Sequence, residues 1–70
     1  MNVNLLRAKI VEKGYTLKKF SETTGIKKSA LYRKLSKISE FDRYEIEVIS
    51  KTLSLTNEEI CDIFFTDKVA

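Results

Sequence analysis

Twice in this chain an apolar residue precedes a helix-capping residue, with a glutamate three positions past the cap and a second apolar residue directly after it. Phe41, Asp42, Glu45 and Ile46 form one such set, and Leu55, Thr56, Glu59 and Ile60 form the other. In this arrangement the Asp or Thr side chain accepts from the third backbone N–H of the helix. The glutamate reaches back to the N–H of the cap, and the apolar pair staples the entry. Two such devices commit the second half of the chain to two helices. Ile46, Ile49 and Leu53 make the buried face of the first, and Ile60, Ile63 and Phe64 recur along the second. No segment alternates cleanly at strand period, and no Asn-Gly or Asp-Gly turn occurs. The expected fold class is all-α.

The first half yields three more helices. One spans about Asn4 to Lys13, with Leu6 and Ile10 one turn apart, and closes at Gly14, which can take the left-handed conformation. Tyr15 then folds back onto Ile10. Thr16 is the expected N-cap of the next helix, with Tyr15 and Phe20 as its staple, and Gly25 closes it. Ile26 leads into a third helix running to about Lys37, with Leu31, Leu35 and Ile38 as its core stripe. A chain of 70 residues supports one small core, so residues 1–70 are read as a single compact five-helix domain.

Composition removes several chemistries. The chain has no His and one Cys, Cys61, which excludes a disulfide staple, His-ligated metal chemistry and His-dependent nucleophilic catalysis. The longest apolar run noted, Ile63 to Phe65, is far too short to span a bilayer. No cofactor is implied, no enzyme is expected, and the reading is a soluble cytoplasmic module. The carboxylate pairs Glu45/Glu47 and Glu58/Glu59 are read as solvated, and Cys61 as a buried inert thiol. Phe64 and Phe65 cannot both enter one small core, which marks Ile60, Phe64 and Phe65 as a candidate partner or dimer interface.

Charge is unevenly divided. Residues 1–37 hold ten basic and two acidic side chains, a net +8, while residues 38–70 hold three basic and eight acidic, a net −5. A basic half concentrates polyanions around itself. Within it, residues 17–35 read as two short helices joined by a tight turn centred on Gly25, which is the anatomy of a helix-turn-helix. At about 100° per residue, Leu31, Leu35 and Ile38 fall on one side of the second helix of that pair. Ser29, Arg33, Ser36 and Lys37 fall on the other, with Tyr32 on the flank and no carboxylate among them. Lys27 and Lys28 stand where a capping residue is usual, and two cations there oppose the helix dipole unless an anion meets both.

The stretch from Phe20 to Leu35, and the string SALYRKL followed by SEF and a capped helix, resemble the phage Cro/C1-type (XRE-like) helix-turn-helix regulators. The likeness is to the small Cro-like proteins of Gram-positive phages, and it covers about residues 4–65. It implies a lambda-repressor-like domain in a bacterial host cell, binding double-stranded operator DNA, often as a homodimer. Lys27, Lys28, Ser29, Tyr32 and Arg33 would then contact bases and phosphates, while Thr16 and Lys18 would touch the backbone. Some proteins of this look are modulators of repression, which bind a C1-type repressor instead. The acidic second half, with Glu47, Glu58 and Asp62 free of capping duty, suits that alternative.

Overall fold

Among the described residues, four of five helices begin at a residue whose side-chain oxygen accepts a backbone N–H near the helix start, leaving one without such a cap. The structure is a computed structural model and describes residues 1–36 and 39–65. Helix α1 covers Val3–Glu12, α2 Leu17–Thr24, α3 Lys28–Leu35, α4 Arg43–Thr52 and α5 Asn57–Phe64. Their caps are Asn2, Thr16, Asp42 and Thr56, with Lys27 heading α3 uncapped. Both capping boxes form in full, with all four hydrogen bonds between 2.8 and 3.1 Å. The first helix starts one residue earlier than expected, because Asn2 Oδ1 accepts from the Leu5 N–H at 3.1 Å. Lys37 and Ile38, the expected end of α3, lie outside the described residues.

Helix ends follow from backbone chemistry. Gly14 and Gly25 both adopt positive φ, +84° and +80°, the conformation that lets the chain turn back and satisfy the last carbonyls. After α1 the Tyr15 N–H donates to Ile10 O at 3.0 Å, the expected fold-back. Ser54 does the same after α4 at φ +53°, with the Leu55 N–H on Ser50 O at 2.9 Å. A serine there bears a strain that glycine would not.

Each helix sends a fully buried side chain into one core: Leu6 from α1, Phe20 from α2, Leu31 from α3, Ile49 from α4 and Ile63 from α5. Leu53 joins them from the end of α4. The staple residues close the periphery, with Tyr15 edge-on to Phe20 and Phe41 edge-on to Phe64. The result is a compact all-α arrangement, with a Cα radius of gyration of 11.2 Å against about 11 Å expected for a folded chain of this length. None of the helices is long and apolar enough to cross a membrane, among the described residues.

The two ends of the described chain are clasped. The Asn2 N–H donates to Ile63 O at 2.6 Å, and Lys9 Nζ of α1 lies 2.6 Å from Glu59 Oε2 of α5. The glutamate read as solvated is thus engaged twice, by Lys9 and by the cap N–H of Thr56. Glu45 likewise serves its capping box and an ion pair with Lys34, with its side chain only 14% exposed. Cys61 corrects another expectation, for it is exposed. At about 100° per residue it stands about 160° from the buried Ile63 on α5.

The Lys9 ammonium, and then the Thr56 N–H, hold the Glu59 carboxyl down from its ordinary 4.5 to about 2. Lys9 is in turn raised above its ordinary 10.5 by the same partner. A carboxyl whose folded value is depressed adds stability above about pH 4.5 and loses it as pH falls toward 2. Glu59→Gln therefore lowers the melting temperature at pH 7, and its deficit against the parent chain narrows as pH drops from 4.5 to 2. Thermal melts across that range check this, and a deficit that does not change with pH contradicts it.

Candidate nucleic-acid interface

The placement of α3 begins with the turn before it. Gly25 reverses the chain after α2, and Ile26 is buried in the core immediately afterwards. A buried turn residue needs partners for its backbone groups. Two hydroxyls of α2 supply them. Thr24 Oγ1 accepts from the Ile26 N–H at 3.2 Å while donating to Phe20 O at 2.8 Å. Ser21 Oγ donates to Ile26 O at 2.5 Å. Ser21, a small residue where α2 meets the turn, thus also fixes that turn by a hydrogen bond. Thr24 is 8% exposed and carries no warning in the sequence beyond being a hydroxyl beside a glycine.

Past the turn, Leu31 and Leu35 hold α3 to the core, at 0% and 2% exposure. Opposite them, Ser29, Tyr32, Arg33 and Ser36 are all exposed, spaced i, i+3, i+4 and i+7 along one face. Tyr32 stands half out, at 50% exposure. Lys27 and Lys28 are exposed at the head of the helix, where no side chain caps the backbone N–H groups. Lys18 is exposed on the first turn of α2. Thr16 spends its hydroxyl as the cap, accepting from the Lys19 N–H at 3.1 Å. Lys37 lies outside the described residues.

Among the described residues, Lys18, Lys27, Lys28 and Arg33 make no ion pair. Two other cations of the basic half are occupied internally. Lys9 pairs with Glu59, and Lys34 of α3 pairs with Glu45 of α4. Lys34 Nζ also stands 5.6 Å from the centre of the Phe41 ring. Part of the asymmetry in charge along the chain is therefore spent on joining its two halves. What stays outward on α3 is a guanidinium, a phenol, hydroxyls and two lysines, with no carboxylate in the helix. Such a face can donate hydrogen bonds and neutralise anions.

The residues considered for a partner interface divide. Phe64 is half-buried, its ring 6.1 Å from Phe41 and nearly perpendicular to it. Ile60 and Phe65 line an open groove of about 530 Å³ with Ile46, Leu55 and Arg43. Phe65 is 37% exposed.

Comparison with family models, with curated proteins and with solved structures finds no match to this chain.

Replacing Thr24 by Val keeps its shape and strands the Ile26 N–H. The expected loss is about 1–3 kcal/mol of folding stability, read as a lowered urea midpoint at unchanged slope. A midpoint equal to that of the parent chain would remove the hydroxyl bracket from this account of how α3 is set.

Proposed function

We propose that this protein is a helix-turn-helix regulator of transcription of the Cro/C1 type, reading duplex DNA in the major groove with α3. The observation that carries the reading is the outward face of α3. Ser29, Tyr32, Arg33 and Ser36 are exposed together, opposite Leu31 and Leu35, with no carboxylate on the helix. Eight helical residues extend about 12 Å, comparable to the width of the major groove. Arg33 has the two-pronged donor geometry that matches guanine O6 and N7. Tyr32 and Ser29 can reach a base edge or a phosphate. Lys27 and Lys28 then make sense at an uncapped helix start, because a phosphate satisfies both the cations and the free N–H groups.

One such helix reads few base pairs, so the expected working form is a homodimer on two half-sites about 34–36 Å apart. Binding should weaken steeply with salt, since lysines on phosphates release counterions.

A second reading rests on a different surface. The groove lined by Ile60 and Phe65 adjoins a helix bearing exposed Glu58 and Asp62, and Glu47 lies along its wall. Arg43 and Lys51 also line the groove, and Lys51 pairs with Glu47, so the negative charge on offer is that of Glu58 and Asp62. Those two beside an apolar groove suit a basic protein partner such as a C1-type repressor, which would make the chain an antirepressor. The two readings separate when the purified protein is titrated with operator DNA and with the repressor in parallel. Sequence-specific, salt-steep DNA binding without repressor binding excludes the second.

Arg33→Ala is expected to weaken binding to a preferred duplex by about 1–3 kcal/mol and to relax preference at one base pair of each half-site. Gel-shift titration on a duplex selected from a random library by the parent protein measures both. Unchanged affinity and unchanged preference would overturn base reading by α3.

A further inference from the structure

Lys34 is the one basic residue of α3 that does not face outward. Its ammonium is engaged by Glu45 of α4, and both side chains are largely covered, at 13% and 14% exposure. Glu45 is itself held, because its Oε1 also accepts from the Asp42 N–H at 2.9 Å as half of the α4 capping box. Asp42 returns the bond by accepting from the Glu45 N–H at 2.8 Å. The same ammonium stands 5.6 Å from the centre of the Phe41 ring. Phe41 is buried and sits edge-on to Phe64 of α5. One cation thus ties the body of α3 to the start of α4, at a carboxylate that cannot swing away without opening a helix cap.

This matters for how α3 is held. Leu31 and Leu35 pin the back of the helix, but an eight-residue rod on an apolar surface can still roll about its own axis or slide. A fixed charge pair on its flank opposes both motions. At about 100° per residue Lys34 falls about 100° round the helix from Arg33, about 160° from Tyr32 and Ser36, and about 60° from Leu31, so it sits at the edge of the inward side and away from the outward face. A cation buried against a carboxylate and an aromatic ring is poorly placed to meet a phosphate, and well placed to set an angle.

We infer that Lys34, acting through Glu45, is a positioning residue that fixes the rotation of α3 and so the selectivity of its outward face, without itself contacting nucleic acid. The inference rests on the proposed reading of duplex DNA by α3. It assigns sequence discrimination partly to a residue that the DNA never touches.

The test uses the full chain and two duplexes, the sequence that the parent protein selects from a random library and a scrambled one. Variants are Lys34→Met, Lys34→Arg and Glu45→Gln, the last keeping an oxygen for the Asp42 N–H. For Lys34→Met and Glu45→Gln, the ratio of selected to scrambled affinity should fall about fivefold or more, with scrambled binding and its salt slope unchanged. Lys34→Arg should restore the ratio. Simple destabilisation would lower both affinities together, through the folded fraction, and would leave their ratio intact. A ratio equal to the parent's in Lys34→Met overturns the inference while leaving DNA reading in place. So does a salt slope flattened by about 0.9, the mark of one lost phosphate contact. A parent chain that selects no sequence and binds neither duplex overturns the reading and this inference with it.

Discussion

The burial of Leu31 and Leu35 is what the functional surface depends on. Eight residues do not hold a helix in water by themselves, because nucleation costs more than so few hydrogen bonds return. Each fully buried leucine contributes about 1.5–3 kcal/mol, and both lie on the same side of α3. That burial makes the helix and, by occupying its back, decides which side chains remain outside. Ser29, Tyr32, Arg33 and Ser36 are exposed because the opposite arc is consumed by the core. The turn before α3 shares in this. Ile26 can enter the core because Ser21 and Thr24 take up its backbone carbonyl and N–H.

Charge acts at two levels. Lys9 and Lys34 cross to Glu59 and Glu45 and bind the basic half of the chain to the acidic half. In both cases the carboxylate already belongs to the third residue of a helix, in its capping box, so one side chain caps a helix start and anchors a neighbour. The cations left on α3 and the first turn of α2 are then free to give the proposed reading face its positive field. The arrangement separates structural from functional charge by pairing. The apolar groove at Ile60 and Phe65 is lined from α4 and α5, with Arg43, Glu47 and Lys51 along it.

Features set by neighbours along the chain were legible in the sequence. The caps at Thr16, Asp42 and Thr56, the left-handed Gly14 and Gly25, and the burial of Leu31 with Leu35 and of Ile49 with Leu53 all depend on residues within about one turn of each other. Ile46, Ile60 and Phe64, expected in the same stripes, are only half-buried. Features that depend on tertiary approach were not legible. Lys34 reads as one more lysine until α4 brings Glu45 beside it, and Glu59 reads as solvated until α1 brings Lys9. Ser54 closes α4 at φ +53° where only glycine would have signalled it. Cys61 is exposed despite its apolar neighbours, because its angular distance from Ile63 turns it outward. The outward face of α3 was legible as a set of residues. The hydroxyl bracket that presents it was not, since it needs the path of the turn.

The most direct measurement is an amide chemical-shift titration of the isotope-labelled protein with the duplex it selects. The account predicts that shifts concentrate from Lys27 to Ser36, with smaller ones at the start of α2, while Ile46, Leu55 and Ile60 stay still. Shifts centred on the groove between α4 and α5, with α3 silent, would contradict it.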